Sequence, residues 1–259
     1  MRVGIVGFGN MGQAFANCLM KKVGRENITV TDILPEKRNI AIEMGLAFAS
    51  DVKFLADTSD LVIIAVKPKD SLKVLEKLKE YKGIILSIMA GVSLEDIENV
   101  VGRDKKVVRV MPNIAVAVGS GTMAITDNGN LSEEEKNKVE ELLLSCGSLY
   151  RIEEGLFDAF TALAGSSPAF VFQFIDGMAL GGVFLGFSYE QSLRIVLDTV
   201  KGCANLLRET GENPNTLTTR VTSPAGTTIE GLKHLESKGF KGILMECLEK
   251  TSLKAKKLK

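Results

Sequence analysis

Histidine occurs once in 259 residues, as His234, and cysteine four times. A Ser-His-Asp triad would have to recruit that single imidazole, which lies in a stretch with helical spacing where a structural or surface role is expected. No HExxH motif and no Cys/His cluster offers a metal its ligands, so no metal is expected. Cys18, Cys146, Cys203 and Cys247 are far apart and make no CxxC pair. With no secretory leader expected either, they read as reduced thiols of a cytoplasmic protein. An excess of charge of either sign is also missing, because 32 Lys and Arg balance 32 Asp and Glu. Nothing therefore draws the chain to nucleic acid or to an anionic membrane. There is no low-complexity linker and no repeat of fixed period.

One apolar stretch needs explanation. From 159 to 187 the only charge is Asp176, and the length would span a bilayer. Ser166, Ser167, Pro168, Gln173, Asp176 and several glycines interrupt it, and no second such segment exists. A helix buried within protein, at a subunit interface, is the reading adopted, with no membrane partner.

The first half alternates strands and helices. Strands are expected at 2–6, 28–31, 61–66, 84–88, 107–111 and 149–152, with a short one near Phe48. Helices are expected at 11–22, 35–44, 70–79 and 132–146, the last opened by a Ser132-x-x-Glu135 capping box. This alternation points to an α/β, Rossmann-like doubly wound parallel sheet. The continuous run LVIIAV at 61–66 suits a strand covered on both faces. After residue 153 the alternation stops. Helical segments follow at 155–164, 168–186, 189–210, 214–221, 227–237 and 240–257. The expected division is 1–153, dinucleotide-binding, and 154–259, an all-α domain whose apolar faces imply a homo-oligomer.

Gly7-Phe8-Gly9-Asn10-Met11-Gly12 fits GxGxxG between the first strand and the first helix. The first glycine permits a tight turn, the second lets the backbone approach a diphosphate, and the third lets helix and strand pack closely. Asp32, twenty residues on at the end of the second strand, can hold a ribose 2′-hydroxyl and would repel a 2′-phosphate, which leans toward NADH. Lys37 and Arg38 are near enough to meet a phosphate, and Asp32 also reads as a helix cap, so the cofactor is taken as NAD(P)H. Ala65, Val66, Lys67 and Pro68 close the LVIIAV strand at the edge where such folds bind ligands. Lys67 reads equally as a cofactor contact and as a surface lysine. In the second half, Ser223-Pro224-Ala225-Gly226-Thr227-Thr228 forms a small-residue loop running into a helix. Its N–H groups can gather around a carboxylate, although an ordinary capped helix start has the same look. A reaction that needs no strong general base fits best, such as reduction of an imine.

Five blocks taken together resemble the pyrroline-5-carboxylate reductase family: GFGNMG (7–12), AVKP (65–68), VRVMPN (108–113), DAFTALAGSSPAF (158–170) and VTSPAGTTIEGLKHLE (221–236). The resemblance implies hydride transfer from NAD(P)H to 1-pyrroline-5-carboxylate, giving L-proline. It also implies a homodimer through the helical domain, further assembled into a decamer in many members, with an active site built from both domains. Carried over, Ser223, Gly226, Thr227 and Thr228 match the substrate carboxylate loop, with Thr228 on the ring nitrogen as the catalytic residue. Lys67, Met111, Pro112 and Asn113 match positions beside the nicotinamide. The sequence departs from the family at Ile114, Ala115 and Val116 after Asn113, at Ala164 to Phe170, and at Ala225, where the family has glycine. If that position needs positive φ, the loop is expected to differ. Reduction of a related cyclic imino acid and a non-catalytic NAD(P)-binding oligomer are the alternatives.

Overall fold

A computed structural model describes residues 1–257. In chain order the first segments are β1 (Val3–Val6), α1 (Asn10–Val23), β2 (Ile28–Thr31), α2 (Glu36–Glu43), β3 (Ala47–Phe48), α3 (Val52–Asp57) and β4 (Leu61–Ile64). Next come α4 (Ser71–Glu76), β5 (Ile84–Ser87), α5 (Leu94–Val101), β6 (Lys106–Met111), β7 (Gly121–Asp127), α6 (Glu133–Leu144) and β8 (Gly147–Arg151). The helical half comprises α7 (Phe157–Phe160), a π-helical turn Thr161–Ser166, α8 (Ser167–Phe184), α9 (Tyr189–Thr210), α10 (Pro214–Arg220), α11 (Thr227–Ser237) and α12 (Phe240–Lys256).

The eight strands form one sheet in the order β3-β2-β1-β4-β5-β6-β7-β8. The strands are short and apolar because both faces are covered. Val3, Ile5, Leu61, Ile63, Ile84 and Leu86 pack into one core with side chains of α1, α2 and α6. Their neighbours Val6, Val62, Ile64 and Ile85 pack into a second core with α3, α4 and α5. The period-two alternation thus splits one apolar run between two cores.

Strands β1 to β6 are parallel to one another, while β7 lies antiparallel to β6 and β8 runs parallel to β7. The expected parallel sheet is present in β1 to β6, and the direction reverses at β7 because the β6–β7 connection is too short for a crossover helix, so the chain doubles back. Asn113 shapes the reversal, its Oδ1 accepting the N–H groups of Ala115 and Thr122. Strand β7 was not anticipated because its Gly-Thr-Met-Ala-Ile-Thr-Asp pattern is weak. Helices α3 and α5 were also missed, whereas the Ser132–Glu135 capping box is present.

By compactness, Met1–Ser166 and the described residues from Lys250 onward form one unit and Ser167–Glu249 another. Within the second unit, α8 and α9 approach closely. The Ser192 hydroxyl donates to the Ala179 carbonyl at 2.7 Å, and a Cβ on Gly182 would sit 1.9 Å from that hydroxyl. Asp176, the lone charge of the apolar run, accepts from the Tyr189 hydroxyl at 2.8 Å. In the single chain Phe184 is 91% and Leu185 76% exposed, a patch that soluble monomers rarely leave in water. The run Glu154–Phe184 is the one helical segment among the described residues long and apolar enough to cross a membrane.

Candidate active site

The order of the strands puts the reversal of connection between β1 and β4, the place where open α/β sheets bind ligands. Gly7, at the end of β1, has φ +94°, and a Cβ there would lie 2.7 Å from the Ala65 carbonyl oxygen at the end of β4. Its N–H donates to Thr31 on the other side, at 2.9 Å. A Cβ on Gly12 would sit 2.0 Å from the Gly7 carbonyl oxygen, so that glycine lets α1 pack against the loop. Gly9 differs from both: a Cβ there meets no protein atom within 4 Å. The protein itself does not need that glycine, so the space it leaves suits a ligand.

Gly9 is also the N-cap of α1 and supplies no side-chain acceptor, and the first turn holds no acidic residue. The leading N–H groups of α1 are therefore available to an anion, with the positive end of the helix dipole behind them. Phe8 serves this loop only through its backbone. Its side chain is fully buried, its N–H donates to Asp32 Oδ2 at 2.5 Å, and its carbonyl accepts from Gln13. Asn10 is exposed and Met11 half-buried at the helix start.

Asp32 ties two turns together, since its Oδ1 accepts the Leu34 N–H at 2.9 Å. It is not a cap of α2, which begins behind Pro35. Each carboxylate oxygen keeps acceptor capacity for a hydroxyl. A cleft of about 460 Å³ runs from Gly7, Asp32 and Ile33 to Lys73 of α4 and Lys77 just beyond it. Arg38 borders a neighbouring hollow with Asp32 and Ser50. Lys73 and Lys77 escaped the sequence reading, because only folding brings α4 opposite β2.

Lys67 is exposed ahead of Pro68, which opens a short turn into α4, and Ala65 and Val66 are half-buried below it. Met111 is buried, packed with Ala124 and Phe157. Asn113 spends its carbonyl oxygen on the loop and leaves its amide nitrogen free to donate. The π-helical turn borders the same strand end: a Cβ on Gly165 would lie 3.8 Å from the Pro112 carbonyl oxygen. These positions therefore gather along the carboxyl edge of β1, β2, β4 and β6. The remaining candidates belong to the second unit.

In that unit, α11 begins at Gly226, again an N-cap without a side-chain acceptor. The Gly226 N–H turns back to the Ser223 carbonyl at 3.1 Å, and a Cβ on Gly226 would strike the Ser223 hydroxyl at 2.2 Å. Glycine thus lets that hydroxyl sit directly over the helix start. Ser223 and Thr227 are exposed and Thr228 half-buried. Ala225 has φ +57°, the one positive value outside glycine among the described residues. Alanine therefore takes up the left-handed conformation at this position and carries its strain. His234 lies in the last turn of α11, away from its N-terminus. Among the described residues no cluster of His, Cys, Asp or Glu could hold a metal. The buried thiol of Cys146 is pushed up in pKa, first by burial and then by its neighbour Cys18, which makes it a poor nucleophile.

Against known proteins, residues 154–258 match the model described as pyrroline-5-carboxylate reductase dimerisation, and residues 2–91 match one described as NADP oxidoreductase, coenzyme F420-dependent. The chain is 75% identical to the pyrroline-5-carboxylate reductase of Aquifex aeolicus, over all of this chain and 97% of that protein. The chain belongs to the pyrroline-5-carboxylate reductase family. The Escherichia coli member is 33% identical, over 99% of this chain and 98% of that one. The solved Streptococcus pyogenes member superposes with a TM-score of 0.92 at 36% identity, covering 99% of this chain and 98% of that one. The Plasmodium falciparum member, solved with NADP bound, gives 0.91 at 32% identity, covering 99% and 97%. The match of residues 154–258 to a dimerisation model supports an oligomer.

Proposed function

We propose that this protein reduces 1-pyrroline-5-carboxylate: the imine, NAD(P)H and a proton give L-proline and NAD(P)+. The reading is carried by one observation in a chain of this family. Both α1 and α11 start at glycine N-caps that offer no side-chain acceptor, which is what two anionic headgroups require. The loop of Gly7, Phe8, Gly9, Asn10, Met11 and Gly12 would hold the diphosphate, and Asp32 the adenosine ribose. Ala65, Val66, Lys67, Pro68, Met111, Pro112 and Asn113 would border the nicotinamide, which when bound supplies the hydride.

Around the substrate, Ser223, Gly226 and Thr227 grip the carboxylate with hydroxyl and backbone donors. Thr228 hydrogen-bonds the ring nitrogen and so fixes which face of the ring is open. An iminium is already electrophilic, so the residues mainly position and exclude water, and no strong base is required. We place the functional division near residue 153, in a cytoplasmic dimer that assembles further into a decamer.

Purified protein should oxidise NADH or NADPH only after the imine is added. No oxidation with either cofactor across neutral pH rejects the reading. Thr228→Ala should lower kcat/KM while leaving NAD(P)H affinity within about threefold. A large loss of cofactor binding contradicts its assignment to substrate.

A further inference from the structure

After its first residue, Lys106, strand β6 is apolar except at Arg109, which is 2% exposed. Its guanidinium lies 4.5 Å over the Phe157 ring. Nη1 donates to Glu154 Oε1 at 2.6 Å, and that oxygen also accepts the N–H of Leu94, the first residue of α5, at 2.8 Å. Nε is the one buried side-chain nitrogen or oxygen among the described residues without a hydrogen-bond partner. A buried arginine with an unmet N–H, paired to a carboxylate that is 31% exposed, is a poor stabiliser, and an apolar residue of similar volume often serves a core as well or better. What arginine supplies and methionine does not is direction, because the planar fork fixes both its carboxylate and the ring beneath it.

The groups held this way stand around the end of β6. Met111, two residues beyond Arg109 and on the same face, packs on Phe157. The Phe157 carbonyl accepts the Thr161 hydroxyl at 2.7 Å. Thr161 opens the π-helical turn that lies beside the Pro112 carbonyl. π-helical turns are rare and recur at functional sites. A continuous line of contacts therefore runs from Arg109 through Phe157 and Thr161 to the backbone at Pro112.

We infer that Arg109 is a positioning residue for the hydride transfer. It acts through Glu154 and Phe157, setting the π-helical turn and the start of α5 against Met111, Pro112 and Asn113, and touches neither cofactor nor substrate. The inference rests on the reading that those three residues border the nicotinamide.

The test compares wild type with Arg109→Met, Arg109→Lys, Glu154→Gln and the Arg109→Met/Glu154→Gln double variant, all as full chains. Glu154→Gln keeps an acceptor for Leu94 and serves if Arg109→Met fails to fold. Displacement by about an ångström typically costs on the order of a hundredfold in rate. Each single variant should lose at least ~10-fold in kcat, with NADH Kd within about threefold. The isotope effect from 4-deuterated NADH should rise as hydride transfer becomes limiting. Arg109→Lys keeps the charge but not the stacked fork, so it should not restore kcat. The double variant removes both charges, and should recover Tm without recovering kcat. Return of kcat together with Tm overturns the inference, as does a folded single variant with wild-type kcat. A wild-type chain that oxidises no cofactor when the imine is added sinks the underlying reading as well, which separates the two failures.

Discussion

Gly9 and Gly12 stand three residues apart in one motif, and the structure predicts opposite consequences for the same change. At Gly12 the added methyl would sit 2.0 Å from the Gly7 carbonyl oxygen. The acceptor is backbone of the loop after β1 and the methyl is fixed to the first turn of α1, so relief requires moving the helix. Overpacking of this kind costs about 1–3 kcal/mol, and with a rigid partner the upper end is expected for Gly12→Ala. At Gly9 the methyl meets nothing within 4 Å, and φ −74° is allowed for alanine. Loss of unfolded-state freedom favours Gly9→Ala by ~0.4–1 kcal/mol. Alanine is the poorer N-cap by a similar amount, about 0.5–1 kcal/mol, so net stability should stay within about 1 kcal/mol of wild type. The methyl instead occupies the space through which a diphosphate reaches the helix N-terminus. A clash of ~2 kcal/mol there weakens NADH binding about 30-fold. Urea unfolding at fixed protein concentration and fluorescence titration with NADH measure the two quantities. If Gly9→Ala binds NADH as wild type does, or unfolds as easily as Gly12→Ala, the division of roles between these glycines is wrong.

Ala225→Gly should stabilise the protein by ~0–1 kcal/mol, because left-handed strain of about 1–2 kcal/mol is released and partly offset by unfolded-state entropy. Ala225→Val should destabilise by more than ~1 kcal/mol, and a valine variant as stable as wild type in urea would contradict the φ of +57°. Asp32→Ser should raise the ratio of NADPH to NADH kcat/KM at least ~10-fold, since a repelling carboxylate goes while Arg38, Lys73 and Lys77 stay; an unchanged ratio would leave Asp32 with only its bonds to Phe8 and Leu34. Burial raises the pKa of Asp127, but hydrogen bonds from Arg151 and the Gly129 N–H outweigh it and hold the carboxyl below its ordinary value. Its contribution is therefore present above the unfolded pKa near ~3.9 and lost as pH falls below that. Asp127→Asn should lower Tm at pH 7, with the gap closing below about pH 4; a gap that persists in acid would assign the loss to packing.

Most elements could be read from the chain because local chemistry marks them. LVII at β4 is continuous for the reason that two cores share it. The Ser132 box is a local hydrogen-bond pattern that tertiary context leaves intact. Strand β7 was illegible because its own residues make a weak pattern, and its direction follows from a short connection. Lys73 and Lys77 were illegible as cleft residues because nothing near them in sequence marks a ligand. Arg109 lies in the VRVMPN block of the resemblance; that it is buried, stacked and paired with Glu154, forty-five residues on, is a property of the fold alone.

The order of residues by itself determined the alternating α/β half, the helical half, the glycine loop and the family resemblance, since periodicity, caps and glycine spacing act over a few residues. Only the tertiary structure decided which glycine faces protein and which faces open space, that Ala225 holds a left-handed turn, and that Asp32 binds the Phe8 N–H and does not cap α2. Those outcomes depend on which backbones come within 3 or 4 Å of each other, and that proximity is set by the packing of distant segments.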